Sequence, residues 1–588
     1  MALPFEVQQS VLGQAWRARA VDEVEVKKIS QRLRAPEIVG RILSGRGVDD
    51  AGVEDYLDTT LRRHLPDPST LAGCDKAAKR LANAVGAGEA VGIFGDYDVD
   101  GGTGSAILTK YLRGLGGTVV THIPDRRTEG YGPSVDAFKK LADAGAKLIV
   151  TIDCGTTSYE PLEWAGGAGL DTIVVDHHMP GEATNPAFAL INPKNINDQS
   201  GLDYLSAAGV SFLLTVALNR TLRDAGFFET REEPDLRQML DLVALGTVCD
   251  VVPLKGVNRA FVNQGLRVLE GRGNPGLAAL ADVAKVNGAA STYHLGFMFG
   301  PRINAGGRLG PPGLALKLLT CDDPVAAQRM ARELDALNAQ RRDVERDVLD
   351  AAILEAEKCV ATGARVVVVA GRNWHEGVVG IVAGRLKDRF GRPAVVLSIG
   401  ENGLAKGSGR SLSGVDLGGA ILKAVDAGLL IKGGGHGMAA GMTIAESEIG
   451  SFGAWLDRTL RDDIEVAIAA AALEVDGMVG LGSIDEALSD AIGLAGPYGA
   501  GNPEPMVVVP QVTIAFADRV GADHVRAQIC DSSGRRLKGI AFRVADNPLG
   551  AALMEGEGRP LHLAGRIKDD TWNGRRQVQL QIEDASPA

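Results

Sequence analysis

In the stretch GIFGDYDVDGGTG, residues 92–104, three aspartates stand at alternate positions, Asp96, Asp98 and Asp100, and a glycine follows. Carboxylates this close repel one another unless a cation offsets their charge. Other acids and imidazoles close other apolar runs: Asp153 ends LIVTID, Asp176, His177 and His178 end TIVVDHH, and Asp250 ends LVALGTVCD. Several carboxylates with one or two imidazoles and no thiolate favour a hard or borderline divalent ion, Mn²⁺ or Mg²⁺, over zinc. More ligands than one ion takes point to two ions. A two-ion site activates a water and stabilises the leaving oxygen of a phosphoryl displacement. The chemistry implied is hydrolysis of a phosphoester or phosphoanhydride.

Two simpler explanations of the triplet fall short. An EF-hand loop opens with the same Asp-x-Asp-x-Asp-Gly, but needs a bidentate Glu at its twelfth position. That position is Ile107, and the strand-like AVGIF precedes the loop where a helix belongs. Helix capping accounts for one of the three acids, with Asp96 or Asp100 as the expected cap of DGGTGSAILTK. It leaves the remote Asp153, Asp176, His177 and Asp250 unexplained. His177 reads as a ligand. His178 points the other way if strand alternation persists, and is then free to polarise the scissile phosphate.

The elements that position these residues follow from hydrophobic pattern. Residues 1–75 read as a mostly helical lead-in. From 76 to 321, short β-branched runs (AVGIF, TVVTHIP, KLIVTID, LDTIVVDHH) alternate with helical segments, which predicts βαβ units and a parallel sheet. Ligands of such sheets gather at the carboxyl ends of strands, where these acids lie; Asp250 is expected at the C-terminal end of a helix. Residues 322–360 contain no glycine and read as one long helix joining two domains. A second α/β unit spans 361–465 and holds the glycine-rich IKGGGHGMAAGMTI. Residues 466–504 read as a linker region, and 505–588 as short alternating strands of an oligonucleotide-binding (OB)-like β-barrel.

Hydrophobic content of 45% and charged content of 23% over 588 residues are those of a multidomain globular protein. No apolar run approaches the ~18 residues of a membrane span, and the N-terminus has no signal pattern, so a soluble cytoplasmic protein is expected. Six scattered cysteines without a CxxC pair argue against a disulfide framework or zinc ribbon. Cys154 and Cys249 adjoin the acids and are expected to be small buried apolar residues. A net charge of −12 does not advertise nucleic-acid binding, although a local groove field decides that.

Taken together, GDYDVDG, TIDCGTTS, VVDHH, ALGTVCDVVPL and GGGHGMAAG are similar to the DHH phosphoesterase superfamily. Their order, the GPRINAGGRLG run and the C-terminal β segment resemble its RecJ family of single-stranded-DNA-specific 5′→3′ exonucleases, from about residue 30 to the end. The resemblance implies two Mn²⁺ or Mg²⁺ ions in a cleft between a DHH and a DHHA1 domain, and a channel too narrow for duplex. It implies Asp98, Asp100, Asp153, His177 and Asp250 as ligands, with Asp153 bridging, and Asp96, Asp176 and His178 in support. It also implies a role in DNA repair and recombination, a helicase and a single-strand-binding protein as partners, a monomer and no membrane.

Arg302 and Arg308 are candidates for gripping phosphate and offsetting transition-state charge. Arg126 and Arg127 are candidates for phosphate contact, and Tyr131 for stacking on an unpaired base. Ser408 and Arg410 in GSGRS resemble a 5′-phosphate pocket, and His436 is a further candidate for the phosphate chain. A DHH enzyme acting on short oligonucleotides or cyclic dinucleotides is the alternative, which the long helix and the β domain argue against. A non-catalytic DNA-binding scaffold is the third reading, and no acid is missing as that would require.

Overall fold

The computed structural model describes residues 7–126, 128–286, 288–556, 558–572 and 575–588. A short strand, β1 (Ala15–Ala18), and helices such as Glu23–Leu33 and Glu37–Ser44 precede the first sheet. That sheet contains β2 (Val91–Gly95), β3 (Val119–His122), β4 (Leu148–Ile152), β5 (Asp171–Val175) and β6 (Ala189–Ile191) in the order β3-β2-β4-β5-β6. All its pairings are parallel. Every residue of β2 and β4 is buried, as strands covered on both faces must be. Leu81, Ile107 and Leu213 pack on one face, and Phe138, Leu141 and Leu162 on the other.

The long helix spans Pro324–Ala361. Asp323 caps it through Val325 N–H, and Pro324 takes the first position, where a missing N–H costs nothing. Its 38 residues extend about 57 Å. Ala327, Ala331 and Leu334 are buried in the core of the first sheet, while Val348, Ala352 and Ala356 are buried against the next domain. One rigid element is thus anchored in both cores.

The second domain has β7 (Val367–Arg372), β8 (Ala394–Ile399), β9 (Leu404–Arg410), β10 (Lys432–His436) and β11 (Ala439–Ala445), ordered β10-β11-β9-β8-β7. Next come β12 (Ala472–Val475), which pairs with β1, and β13 (Gly477–Met478). The final sheet adds β14 (Val507–Val520), β15 (His524–Cys530), β16 (Arg536–Ala541), β17 (Leu561–Trp572) and β18 (Arg575–Pro587). Strands run β14-β15-β16-β18-β17, and β17 pairs back onto β14, closing a five-stranded barrel. Register breaks within β14 let it serve both neighbours.

Two sequence expectations change here. The stretch read as a linker, 466–504, is largely folded: Val479, Leu481, Ile484, Leu488 and Ile492 are buried in the barrel core. The helical lead-in joins the same core through Ile29, Ile38, Val39, Ile42 and Leu43. Short elements broken by glycine hid this packing, because no single one carries a full amphipathic period. Among the described residues no helix is long and apolar enough to cross a membrane.

Candidate metal centre and anion cleft

The acids converge at the carboxyl edge of the first sheet. Asp98, rather than Asp96 or Asp100, caps the Val99–Gly114 helix: one of its oxygens accepts from Asp100 N–H at 2.9 Å and Gly101 N–H at 3.1 Å. Asp100 is fully buried and accepts from the Ala207 and Ala208 amides, at 2.6 and 2.9 Å, where the Ala207–Asp224 helix begins. That helix's N-terminal dipole favours the carboxylate. Asp153 follows β4 with φ 63°, a left-handed conformation that turns its carboxylate off the strand direction. Asp250 is the C-terminal cap of the Leu240–Cys249 helix, and Val251 after it also sits at φ 60°. Positive φ at a β-branched residue is strained, and such strain concentrates at functional sites.

His177 is the hub. Its Nε2 lies 3.2 Å from Asp153 Oδ1, 3.5 Å from Asp250 Oδ2 and 3.8 Å from Asp100 Oδ2. Three groups of possible ligand atoms are each mutually within 4.8 Å: Asp96, Asp98 and Asp153; Asp100, His177 and Asp250; Asp153, His177 and His178. Asp153 belongs to two of them. Asp96 Oδ1, Asp153 Oδ1, Asp250 Oδ2 and His177 Nε2 are buried with no hydrogen-bond partner. Orphaned buried polar atoms are costly and rare, and carboxylate and imidazole atoms converging in this way fit a bound divalent cation.

The electrostatics agree. Burial, then the neighbouring acids, pushes the Asp96 and Asp153 carboxyls well above their usual range. Burial followed by the Asp98 charge lifts Asp100 to about 7, and burial followed by Asp100 lifts Asp250 to about 9. Burial, then His178, pulls His177 down to about 3, which leaves its ring neutral and able to ligate.

His178 corrects an expectation from the sequence. β5 ends at Val175, so strand alternation does not reach residue 178, and the rings of His177 and His178 lie 4.8 Å apart. Asp176 Oδ1 holds His178 Nδ1 at 2.7 Å. Burial lowers the His178 pKa, but this bond and the Asp176 charge more than reverse that and raise it. Asp176 is buried too, yet His178 and Thr156 hold its carboxyl below the usual range. The Cys154 and Cys249 thiols are pushed up, first by burial and then by nearby acids. Neither is a thiolate; Cys154 is buried as expected, whereas Cys249 is only partly buried against the first core.

Several supporting residues escaped the sequence reading. Thr156 N–H donates to Asp176 Oδ2 at 3.0 Å, and Asn192 Nδ2 donates to Thr156 Oγ1 and to the His178 carbonyl. Gly246 lets two helices meet: a β-carbon there would lie 2.7 Å from Asp100 Oδ1 and 2.5 Å from Thr103 Oγ1. The one available signal was a glycine inside an otherwise apolar helical run, LVALGTVC.

A cleft of about 720 Å³ opens between the two α/β domains, lined by Arg126, Arg308, Ser408, Arg410 and the glycines of β10 and β11. Arg308 donates to the Gly377 carbonyl across the domain boundary at 2.6 Å. Burial, then repulsion from Arg126 and Arg341, brings Arg308 down to about 10, still cationic at neutral pH. Arg410 donates to Ser408 Oγ at 2.8 Å, and burial followed by Arg126 lowers its pKa too. Guanidinia that depress one another in a cavity call for an anion. Tyr131 lies between the two regions, its hydroxyl 3.3 Å from the Asp153 carbonyl and 3.4 Å from His178.

Not all candidates gather there. Arg302 turns away to Asp335 at 2.9 Å and to the Met298 carbonyl at 2.7 Å, so it ties its helix to the long one. His436 ends β10 at the hairpin tip, exposed, its Nδ1 accepting from Met438 N–H at 3.3 Å. Arg127 lies outside the described residues.

Comparison with known proteins accords with this geometry. The DHH family, N-terminal domain, matches residues 90–247, the DHHA1 domain 363–462, and the RecJ OB domain 475–584. The chain is 35% identical over 571 residues to the single-stranded-DNA-specific exonuclease RecJ of Dickeya dadantii, covering 94% of this chain and 96% of that protein. It is 34% identical over 583 residues to its counterpart in Escherichia coli, covering 97% and 99%. The crystal structure of RecJ in complex with Mn²⁺ from Thermus thermophilus superposes with TM-score 0.77 at 28% identity, covering 97% of this chain and 79% of that one. With the DHH, DHHA1 and OB domains in order around a carboxylate–imidazole cluster, the chain belongs to the RecJ family.

Proposed function

We infer that this protein is a metal-dependent exonuclease that hydrolyses phosphodiester bonds of single-stranded DNA from the 5′ end, in DNA repair and recombination. The observation that carries the reading is the set of buried, unpartnered oxygens and imidazole nitrogen on Asp96, Asp153, Asp250 and His177. Asp98, Asp100, Asp153, His177 and Asp250, with Asp96 beside them, are the residues that would hold two Mn²⁺ or Mg²⁺ ions. Bound there, the ions would supply an activated water and charge compensation on the phosphate oxygens.

The chain's own groups account for the rest. His178 Nδ1–H donates to the Asp176 carboxylate, whose charge favours the doubly protonated ring, so that Nε2–H of the half-exposed ring can donate to a non-bridging phosphate oxygen. Arg126, Arg308 and Arg410, with Ser408, line one cleft, and we assign them the grip on the terminal phosphate that sets how far the strand enters before it is cut. Asp335 already holds Arg302, so its role is to position the helix that carries Arg308. An enzyme confined to unpaired strand needs strand separation upstream. We therefore place it, as a cytoplasmic monomer, beside a helicase and a single-strand-binding protein.

The test is direct. Purified protein with Mn²⁺ and 5′-phosphorylated, 3′-labelled single-stranded DNA should release mononucleotides from the 5′ end, and a chelator should stop it. Intact substrate would overturn the reading, and cleavage restricted to dinucleotides would move the protein to the short-oligonucleotide class.

A further inference from the structure

Residues 292–309 form one continuous helix, which includes a wide π turn at His294–Phe299 and then Gly300–Leu309. Its inner face is committed to the core: Leu295 and Phe299 are buried. The Cys249 thiol, next to Asp250, donates to the Leu295 carbonyl at 3.4 Å. Gly300 runs so close that a β-carbon there would lie 2.7 Å from the Cys249 sulfur. The start of this helix therefore packs on the end of the helix that delivers Asp250.

Its outer face carries an aromatic pair that no role above uses. Tyr293 and Phe297 are 60% and 72% exposed, and their rings stack with centroids 5.2 Å apart and planes at 23°. At the other end of the same helix, Arg308 lines the anion cleft. Eleven residues separate Phe297 from Arg308, about 16 Å along the axis. Between them, Gly307 backs onto Tyr97, beside the aspartate triplet, with a would-be β-carbon 2.9 Å from the Tyr97 carbonyl. One rigid helix thus orders three features: the guanidinium cleft, the carboxylates and an open aromatic face. Thr292 also donates to the Tyr498 carbonyl at 2.7 Å, which places the pair at the seam with the barrel domain.

Building on the exonuclease reading, we propose that Tyr293 and Phe297 form a stacking platform for bases of the single-stranded substrate, beyond the metal centre from the terminal phosphate. Any base offers a π face, so the platform is indifferent to sequence, as an exonuclease that degrades strands of any sequence requires. At ~3.4 Å per stacked nucleotide, the ~16 Å offset places the platform at roughly the fifth or sixth nucleotide from the 5′ end. Shorter fragments do not reach it.

The test uses the full chain carrying Asp153→Ala, so that DNA stays intact, and 5′-phosphorylated oligomers with 2-aminopurine at successive positions. Fluorescence should be quenched at about the fifth and sixth positions and not at the first. Adding Tyr293→Ala and Phe297→Ala should abolish that quench and weaken binding about ten-fold or more, while Tyr293→Phe keeps both. In the active enzyme the same pair should raise KM for long oligomers and leave turnover of a trinucleotide unchanged. Both rings are exposed, so the alanines open no core, and circular dichroism checks the fold. Unchanged affinity and quenching in the double variant would overturn the proposal, as would a dimer that the double variant disperses. Failure of the Asp153→Ala parent to bind DNA at all would overturn the exonuclease reading itself.

Discussion

At the residue scale, the site keeps acids together by burying them, and burial sets a pH signature. Without metal, Asp100 and Asp250 hold their protons up to about pH 7 and about pH 9, against an ordinary 3.8. A folded state that binds more protons than the unfolded chain loses stability as pH rises. The metal-free protein should therefore melt at progressively lower temperature from about pH 4 to about pH 9, the window between the ordinary and raised values. Divalent ions compete with those protons, so Mn²⁺ affinity should climb over the same range, with protons released on binding. Thermal melts in EDTA and in Mn²⁺, and calorimetry in buffers of different ionisation enthalpy, read both trends; a flat EDTA profile would contradict the burial argument. Asp153→Ala should remove turnover by several orders of magnitude and leave DNA binding largely intact. Gly246→Ala should cost about 1–3 kcal/mol in urea unfolding, because its methyl meets the Asp100 carboxylate and Thr103 with no room to give.

At the element scale, two helices set the cleft. The Pro324–Ala361 helix is buried at one end in the first domain and at the other in the second, so the gap between the domains is held at a fixed width. Arg308 reaches over that gap to the Gly377 carbonyl, and Arg410 faces it from β9. If this cleft seats the terminal phosphate, Arg410→Ala should raise KM for 5′-phosphorylated strands at least ten-fold and affect 5′-hydroxyl strands far less. Paired kinetics on the two substrates decide it, and equal losses on both would assign Arg410 to architecture alone.

At the scale of the whole molecule, the barrel is inseparable from the N-terminus. Ile29, Ile38, Ile42 and Leu43 share one core with Val507, Val509 and Leu563, and β1 pairs with β12. Deleting residues 506–588 would expose that core and confound any measurement of DNA binding. The barrel's contribution is better tested on its surface, where Arg536 and Lys538 line a groove with Gln528 and Gln577. Replacing both with alanine should weaken single-strand affinity and lower the salt dependence by about 0.7 per lost phosphate contact. Binding titrations at several salt concentrations measure that slope directly.

The sequence by itself determined the class of chemistry and the layout of the first domain. Alternating β-branched runs and helices dictate a parallel sheet, and acids after such runs must meet at its carboxyl edge. That logic brings Asp98, Asp100, Asp153, His177 and Asp250 to one edge of the sheet. What only tertiary structure decided depends on where an element ends and what lies across from it. The end of β5 at Val175 turned His178 toward Asp153, not away, and the start of the 99–114 helix made Asp98 the cap. The partner Asp335 removed Arg302 from the cleft, and packing over 400 residues of chain joined the N-terminal helices to the barrel. Periodicity is local and names the face a residue occupies; burial, pairing and close approach are contacts between distant segments, and only the folded chain supplies them.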